Sequence, residues 1–399
     1  RMSVLFRDCL LPGGERTSVL VEGASISAVG NEDSTRGGAG SGEATGAQII
    51  DCGGKLLAPS FTEGHIHLDK TFAGLPHIPH RYGVSVPERI AAEKALRQEV
   101  PASVFERGGR LLDEIIAFGT GRVRTHVDID PEIGLSSLAD VVRLRDANAD
   151  RVDMQIVAFP QSGIVSAPGT ADLMDAALTE GATHVGGLDP AFIDGDRRGH
   201  LDVVFALAGK HDAGIDIHLH EGGAMGLETL QDIAARTKAV GLHGRVTVSH
   251  AFALGEPHDI GPTLAALRKA GVAILTHGPG PVPMPPVVRL AEEGVAICAG
   301  SDNIRDAWSP YGNGDMLKRA MMIGYRQGMN TDEELALLFD IVTTRTARSH
   351  GFGEVGIAEG APADLVLIDA ETVAGAVAQH PARLTVMKGG KIVAGLNPS

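Results

Sequence analysis

From about residue 56 to residue 350 the sequence alternates between short apolar runs and longer amphipathic stretches. An amphipathic stretch follows each apolar run, which is typical of parallel strands joined by crossover helices. The runs are eight in number, and eight strands favour a closed (β/α)₈ barrel over an open sheet. The predicted strands are Leu56–His65, Val123–Val127, Asp153–Phe159, Thr183–Leu188, Ile215–His220, Val246–His250, Val272–Thr276 and Val295–Ala299.

Both ends of the chain carry further short β-like runs. Four lie before the barrel, at Val4–Leu11, Ser18–Val21, Ser25–Val29 and Ala47–Leu57, and more follow it at Ala363–Ile368 and Leu384–Ala394. A Gly/Ser-rich loop is expected at residues 31–43. We predict that the two ends meet in one small β-sandwich domain, made of residues 1–58 and 353–399, beside a catalytic barrel at residues 59–352.

Composition restricts the class of protein and its partners. Of the 399 residues, 43% are hydrophobic and 21% are charged, which is typical of a globular enzyme with a large core. No apolar run is long enough to span a bilayer. The formal net charge of −15 argues against nucleic acid and anionic membranes as partners, because both would repel this surface. We expect a small-molecule substrate.

The cysteines and the start of the chain bear on its location. Cys9, Cys52 and Cys298 are scattered and odd in number, so we expect small buried side chains in a reducing compartment. The first residues lead directly into a strand-like run with no signal peptide, which predicts a cytoplasmic protein.

Histidines and carboxylates stand at the ends of several predicted strands. His65 and His67 follow the first strand, and at positions i and i+2 they can face one ion together. His218 and His250 lie near the ends of the fifth and sixth strands, and Asp302 follows the eighth. Because the carboxyl ends of barrel strands share one mouth, these side chains are expected to converge there. Imidazoles with a carboxylate are a plausible ligand set for Zn²⁺ or Fe²⁺.

Each of these residues has a structural alternative. His126 and His184 are expected to be hydrogen-bonded core histidines. His220 shares a strand face with His218, and we expect it to lie beside the metal ligands and not to be one of them. Asp302 could instead cap a helix that starts at Asn303. The remaining histidines fall in loops or helices, where solvated positions are expected: His77, His80, His200, His211, His243, His258, His277, His350 and His380.

The same residues resemble the amidohydrolase superfamily, in the branch of cytosine deaminase and N-isopropylammelide amidohydrolase. The likeness covers nearly the whole chain and rests on Gly64–Lys70, Val123–Asp128, Gln155–Ile164, Asp216–Glu221, Ser249-His250 and Gly300–Gly312. The resemblance implies a metal-dependent hydrolase that acts on non-peptide C–N bonds of cyclic amidines. Members with two metals bridge them through a lysine on strand four, and the stretch 183–190 has none. The resemblance therefore implies one divalent ion, held by His65, His67, His218 and Asp302.

The resemblance also implies how the reaction proceeds. A divalent ion lowers the pKa of its water from 15.7 to roughly 7. Asp302 would accept the proton of that water, and His250 would orient the water for attack on the amino-bearing ring carbon. Glu221 would protonate a ring nitrogen, although a solvated loop carboxylate is its alternative. Ammonia would then leave.

Three residues are expected to bind the substrate. By resemblance the Gln161 amide would form hydrogen bonds with the polar edge of a planar heterocycle, since a primary amide both donates and accepts hydrogen bonds. Its structural alternative is a glutamine that caps a loop. Trp308 would form a pocket wall, or else belong to the core. Asn303 stands where cytosine deaminases carry a second carboxylate, and Ser301 stands where they carry a histidine. Ala251-Phe252-Ala253 lies where they carry smaller polar residues. These departures argue against cytosine itself as the substrate.

Two main functions follow from these features. The first is a deaminase of a small N-heterocycle that is cytosine-like, pterin-like, purine-like or an aminotriazine. The second is an amidohydrolase that opens a cyclic amide or displaces a substituted amine from a triazine-like ring. A metal-binding scaffold without activity is a third possibility, which predicts a missing ligand or acid. We also expect a homo-oligomer.

Overall fold

The computed structural model describes residues 3–30, 47–80 and 85–395. The Gly/Ser-rich loop expected at residues 31–43 lies outside the described residues. The described strands are β1 (Ser3–Leu10), β2 (Arg16–Glu22), β3 (Ser25–Gly30), β4 (Gln48–Asp51), β5 (Leu56–Pro59), β6 (Phe61–Ile66), β7 (Thr120–Asp128), β8 (Asp153–Phe159), β9 (His184–Leu188), β10 (Gly214–Leu219), β11 (Val246–His250), β12 (Val272–Thr276), β13 (Ile297–Ala299), β14 (Leu365–Ile368), β15 (Arg383–Lys388) and β16 (Lys391–Gly395).

Helices follow most strands of the middle region. The described helices are α1 (Val86–Arg97), α2 (Val104–Ala117), α3 (Ser136–Ala147), α4 (Thr170–Thr179), α5 (Arg197–His211), α6 (Gly223–Ala239), α7 (Gly261–Ala270), α8 (Val287–Glu292), α9 (Met316–Gln327), α10 (Asp332–Asp340), α11 (Thr346–Ser349) and α12 (Val373–Gln379). A 3₁₀ turn lies at Phe252–Gly255, and a π-helical turn at Ile341–Arg345 joins α10 to α11. Among the described helices, none is both long and apolar enough to cross a bilayer.

Strands β6 to β13 form a parallel barrel, each paired with the next in chain order. The ring closes where Ile66 bridges Asp302, and the backbone N–H of Asp302 donates to the carbonyl of His65 at 2.7 Å. Glu63 supports this closure because its Oε1 accepts the backbone N–H groups of His65 and Ser301. The predicted (β/α)₈ barrel is confirmed.

Alternation along the barrel strands directs polar side chains inward. In β10, Ile215 and Ile217 belong to the large apolar core, while Asp216 between them is fully buried and hydrogen-bonded to polar partners. Successive strand side chains face opposite sides, so apolar residues pack against the helices and polar ones enter the barrel. The barrel interior is therefore polar below the mouth, and its side chains can support a site there.

The second sheet is built from both ends of the chain. Its order is β16-β15-β14-β5-β1-β2-β3, with β4 paired to β1. Val4 and Phe6 from one end pack with Leu365 and Met387 from the other in its core. The predicted β-domain made of both ends is confirmed; its boundaries at residues 58/59 and 352/353 stay a proposal.

The fold differs from the sequence interpretation at one strand, one helix and two histidines. The predicted first barrel strand, Leu56–His65, is two strands in two sheets: β5 pairs with β14, whereas β6 pairs with β7. The short helix α12 was not predicted in the C-terminal β-region. His200 and His350, expected in solvated positions, are buried: His200 lies on the inner face of helix α5, and His350 directly follows helix α11. All three cysteines are buried, as predicted.

Candidate active site

The carboxyl ends of β6, β10 and β13 bring four predicted ligands together. Asp302 Oδ1 lies 3.4 Å from Nε2 of His65 and 3.2 Å from Nε2 of His67. Nε2 of His218 lies 3.4 Å from Nε2 of His67. The three imidazoles are at most 3% exposed. Short contacts thus link the three imidazoles and the carboxylate, although the group whose ligand atoms all lie within 4.8 Å of one another contains His250 in place of His67.

The ring of His65 is held in one tautomer by a chain of hydrogen bonds. Ser249 Oγ donates its proton to Asp216 Oδ1 at 2.8 Å, and Arg124 donates to Asp216 Oδ2 at 3.0 Å. Since the Ser249 proton is used, its oxygen must accept the Nδ1–H of His65, 2.9 Å away. The lone pair of His65 then lies on Nε2, which is buried and without a hydrogen-bond partner. A ligand histidine held this way is typical of metal sites.

His250 lies in the same cluster, at the end of β11. One ligand atom from each of His65, His218, His250 and Asp302 falls within 4.8 Å of the others, so His250 is close enough to be an alternative ligand to His67. Its Nε2 is buried and unpartnered. The backbone of His250 and of Asp302 is left-handed, with φ of 76° and 60°. Such backbone strain in non-glycine residues is concentrated at functional sites.

His277 belongs to this cluster, which corrects the solvated position expected for it. Its Nδ1 lies 3.2 Å from Nδ1 of His250, and its Nε2 lies 3.7 Å from Oδ2 of Asp302. Burial lowers the pKa of His277 to about 4. The residue directly follows β12, so the same strand-end reasoning that found His250 could have found it.

The other strand-end histidines have different environments. His184 is hydrogen-bonded to Thr183 and Arg124, as expected for a core histidine. His126 is fully buried and stacks on His65 at 3.9 Å, but neither of its ring nitrogens has a hydrogen-bond partner, contrary to the prediction. His220 stacks on His250 at 4.6 Å, and its Nδ1 lies 2.8 Å from Asp189 Oδ2.

Electrostatics favours the neutral form of His218 and His250 and the ionised form of Asp302. Burial, with the neighbouring imidazoles, holds the pKa of His218 and of His250 well below the usual range. Burial opposes ionisation of Asp302, but His277, His250 and the other rings outweigh it and hold the pKa of that carboxyl well below its usual range. Neutral imidazoles and an ionised carboxylate are the protonation states in which these groups bind a metal ion.

Glu221 lies just beyond the cluster. Its Oε1 accepts the backbone N–H groups of Ala191 and Phe192 at 2.7 and 3.1 Å, and its Oε2 accepts the hydroxyl of Thr229 at 2.6 Å. Burial raises the pKa of Glu221, and these hydrogen bonds only partly offset it. The side chain is thus a buried carboxyl with an increased tendency to hold a proton, not a solvated one.

The three predicted substrate-binding residues are joined through two carboxylates. Gln161 Nε2 and Trp308 Nε1 both donate to Glu93 Oε2, at 2.7 and 2.5 Å. Asn303 Nδ2 donates to Asp306 Oδ2 at 2.7 Å, and the backbone N–H of Trp308 donates to Asp306 Oδ1 at 2.8 Å.

The ring of Phe159 joins this wall to the histidine cluster. It stacks on His218 at 4.0 Å, and Lys70 Nζ lies 5.7 Å from its centre. The wall and the cluster are therefore neighbours. Glu93 is on helix α1 and was not identified from the sequence, since a glutamate in a polar helix gives no signal.

The donor set fits a Zn²⁺ or Fe²⁺ ion. Imidazole nitrogens with one carboxylate oxygen suit these ions, and the orphaned Nε2 of His65 is the buried atom that an ion would satisfy. Asp302 faces the cluster and does not cap a helix, because the next described helix, α9, is capped by Asp315. The arrangement can bind a divalent cation beside a planar, hydrogen-bonding wall.

Comparison with known proteins gives consistent matches. A family model described as the amidohydrolase family matches residues 48–394. The chain is 32% identical over 362 residues to N-isopropylammelide isopropyl amidohydrolase of Pseudomonas sp. (strain ADP), covering 88% of this chain and 89% of that one.

Solved structures agree with this. A crystal structure of N-isopropylammelide isopropylaminohydrolase from Burkholderia multivorans superposes with a TM-score of 0.93 at 38% identity, covering 99% of both chains. The 5-methylcytosine deaminase from Klebsiella pneumoniae, liganded with 5-fluorocytosine, superposes with a TM-score of 0.85 at 27% identity, covering 98% of this chain and 97% of the other.

Proposed function

This chain belongs to the amidohydrolase family, and from that premise we propose that it hydrolyses an exocyclic C–N bond of a small N-heterocycle. The substrate is an amino-substituted ring of the cytosine, pterin, purine or aminotriazine type, and the leaving group is ammonia. One divalent ion, Zn²⁺ or Fe²⁺, is bound by His65, His67, His218 and Asp302. The expected cytoplasmic location and homo-oligomeric assembly are part of the same proposal.

The observation that carries the proposal is the convergence at the barrel mouth. Three Nε2 atoms and Asp302 Oδ1 meet there, and the Ser249–Asp216–Arg124 chain leaves the lone pair of His65 free on Nε2. When bound, a divalent ion supplies a nucleophile at neutral pH, because it lowers the pKa of bound water to roughly 7.

Asp302 and His250 act on the water. The two oxygens of Asp302 face different neighbours: Oδ1 faces the ligand nitrogens, whereas Oδ2 faces His277. Oδ1 would therefore hold the ion, and Oδ2 would be the oxygen left to accept the proton of the attacking water. The unpartnered Nε2 of His250 orients the water for attack on the ring carbon.

Glu221 and the substrate wall act on the ring. Burial raises the pKa of Glu221, which favours the protonated form that a general acid needs. Gln161, Asn303 and Trp308 hold the heterocycle so that the attacked carbon faces the water. Protonation of the ring nitrogen by Glu221 makes that carbon more electrophilic, and the water oxygen bonds to it as Asp302 takes one water proton. Asp302 then passes this proton to the amino nitrogen, so the C–N bond breaks and the amine leaves. The Glu221 carboxylate takes up the remaining proton of the new hydroxyl, which becomes the ring carbonyl.

Loss of an alkylamine in place of ammonia is a second candidate. The centre of the Phe252 ring lies 5.9 Å from that of His250 and 5.4 Å from that of His220, so an apolar ring stands beside the residue proposed to orient the water. An apolar group there suits an alkyl substituent on the departing nitrogen. Two of the similar proteins carry N-isopropylammelide in their names.

The test is a release assay on matched substrates. Zn²⁺- and Fe²⁺-loaded protein is incubated with aminopyrimidines, aminopurines, pterins and aminotriazines, each triazine as an amino and an N-isopropylamino form. Ammonia and isopropylamine are quantified, and mass spectrometry checks that the ring is intact. We expect amine release with an intact ring, and the ratio within each pair identifies the leaving group.

Two controls make the result interpretable. Protein treated with a chelator should lose activity and regain it on addition of Zn²⁺ or Fe²⁺. An opened ring would support the cyclic-amide hydrolase that the sequence left as an alternative. Absence of any release from all four compound classes by the metal-loaded protein would contradict the proposal.

A further inference from the structure

Helix α1 contacts the barrel in an unusual way. A helix packed on a globular protein normally buries an apolar stripe. Glu93 is the one residue of α1 that is fully buried, at 6% exposure. The helix is also tied to the barrel by Arg97, which donates to Asp128 at 2.9 Å, and by an exposed ion pair between Lys94 and Glu132. Polar contacts, centred on Glu93, therefore dock this helix over the site.

The Glu93 carboxylate accepts hydrogen bonds from three separate segments. Lys70, which follows β6, donates to both oxygens at 3.0 and 3.1 Å. Gln161, which follows β8, donates to Oε2 at 2.7 Å, and Trp308, in the loop after β13, donates at 2.5 Å. Although burial opposes ionisation, Lys70 and the other donors lower the pKa of Glu93 to about 2. One carboxylate thus connects the three loops that form the wall.

These contacts fix the orientation of the Gln161 amide. Its Oε1 accepts from Lys70 Nζ at 2.5 Å, while its Nε2 donates to Glu93. A reversed amide would place N–H groups against the ammonium and a carbonyl against the carboxylate, so both contacts would become repulsive. One N–H and one lone pair of the Gln161 amide stay free for a ligand, and their positions cannot be exchanged.

Lys70 donates all three of its ammonium protons within the same cluster. Its three protons are accounted for by Glu93, Gln161 and Asp128, the last at 2.9 Å. The lysine therefore has no donor left for a ring, and it supports Gln161 and Glu93. Loss of the Glu93 carboxylate would leave Lys70 paired with Asp128, so the cation would not be stranded.

We infer that Glu93 is a positioning residue, which holds the Gln161 amide and the Trp308 indole in the one arrangement that reads the edge of the heterocycle. The inference rests on the proposed function for its substrate, and on the contacts above for its geometry. Because Gln161 and Trp308 contact the ring before and during the reaction, loss of Glu93 weakens binding more than the chemical step. A displacement near 1 Å can cost on the order of 10²-fold.

Trp308 provides a direct measurement, because it is the single tryptophan of the sequence. Protein labelled with ¹⁵N-tryptophan therefore gives one indole N–H resonance that needs no assignment. A charged acceptor makes a strong hydrogen bond, which moves the indole proton downfield. Glu93→Gln should move this resonance upfield, because either orientation of the new amide places an N–H against a donor.

Kinetics forms the second arm of the experiment. N-isopropylammelide and 5-methylcytosine are the probes, with metal-loaded protein. Glu93→Gln should raise KM by about 10- to 100-fold and change kcat less. Lys94→Ala is the matched control: it removes the neighbouring surface ion pair with Glu132. Both its indole resonance and its KM should equal those of the wild type.

The outcomes separate the two proposals. An indole resonance that stays in place in Glu93→Gln, or a resonance that moves while KM is unchanged, overturns the inference. If Glu93→Gln does not fold, Glu93→Asp is the second variant, because it keeps the charge but moves the carboxylate away from Gln161 and Trp308. The inference then requires the same upfield shift and the same increase in KM. If the wild type turns over neither probe, the substrate assignment is contradicted for those rings, and the indole resonance alone decides whether Glu93 holds Trp308.

Discussion

Ser249→Ala tests the hydrogen-bond chain behind the proposed metal ligand His65. The substitution removes the hydroxyl that accepts the Nδ1–H of His65 at 2.9 Å and donates to Asp216 at 2.8 Å. Asp216 keeps its bond to Arg124. The ring of His65 is fully buried, so water does not replace the lost acceptor.

Ser249→Ala destabilises the metal-loaded form of the protein more than the metal-free form. With an ion on Nε2, the proton of His65 must stay on Nδ1, where Ser249→Ala leaves it without a partner, at about 1–3 kcal/mol. Without the ion, the ring can move its proton to Nε2 and face Asp302 Oδ1, 3.4 Å away. The difference appears as affinity, and loss of such supporting contacts typically costs about 10–100-fold, or about 1.4–2.8 kcal/mol.

The assay is a competitive Zn²⁺ titration of metal-free protein against a chromophoric chelator. Thr247→Val is the matched control, because Thr247 lies on the same face of β11 and contacts Arg124 but not His65. We expect a Kd that is 10- to 100-fold higher for Ser249→Ala and near wild type for Thr247→Val. Equal affinity of Ser249→Ala and wild type would refute the tautomer argument.

Three further predictions follow from the same contacts. Asp302→Asn removes the charge that faces His65, His67 and His277, so turnover should fall below detection. The circular dichroism spectrum should be unchanged. Activity near that of the wild type would exclude Asp302 as the base. Glu221→Gln should lower kcat by about 10²–10⁴-fold with the metal content retained, and full activity would remove Glu221 from the mechanism. Asp194 is the pH-dependent case: burial raises its pKa, but His200, Ser166 and loop amides outweigh this and lower it below the usual 3.8. The ionised Asp194 carboxylate therefore stabilises the fold above about pH 4, and this stabilisation is lost as pH falls through the folded pKa. The difference in unfolding free energy between wild type and Asp194→Asn should shrink from pH 7 to pH 3. Growth of that difference would contradict the assignment.

The strand-end residues were predictable because geometry decides where they meet. In a barrel the carboxyl ends of the strands share one mouth, so His65, His218 and Asp302 could be grouped before any coordinates were known. His277 obeys the same rule, one residue after β12, but from the sequence it was grouped with the histidines of loops and helices. The missed histidine was therefore within reach of the sequence.

Other features depend on information that a sequence pattern does not carry. Every residue of Leu56–Ile66 is buried, and the pattern of residue types does not show that β5 and β6 pair in different sheets. The chain from Ser249 to Asp216 depends on which way a hydroxyl proton points. Glu93 looks like any glutamate on a polar helix, and its burial follows from Lys70 and Trp308, which are distant in sequence. Long-range partners, not local propensity, determine these positions.

Anomalous diffraction from crystals of the purified protein, recorded at the zinc and iron absorption edges, tests the central claim most directly. The account predicts one peak per chain, about 2.0–2.2 Å from Nε2 of His65, His67 and His218 and from Oδ1 of Asp302. A pair of peaks, or a single ion held by His250 or His126 in place of these ligands, would contradict it.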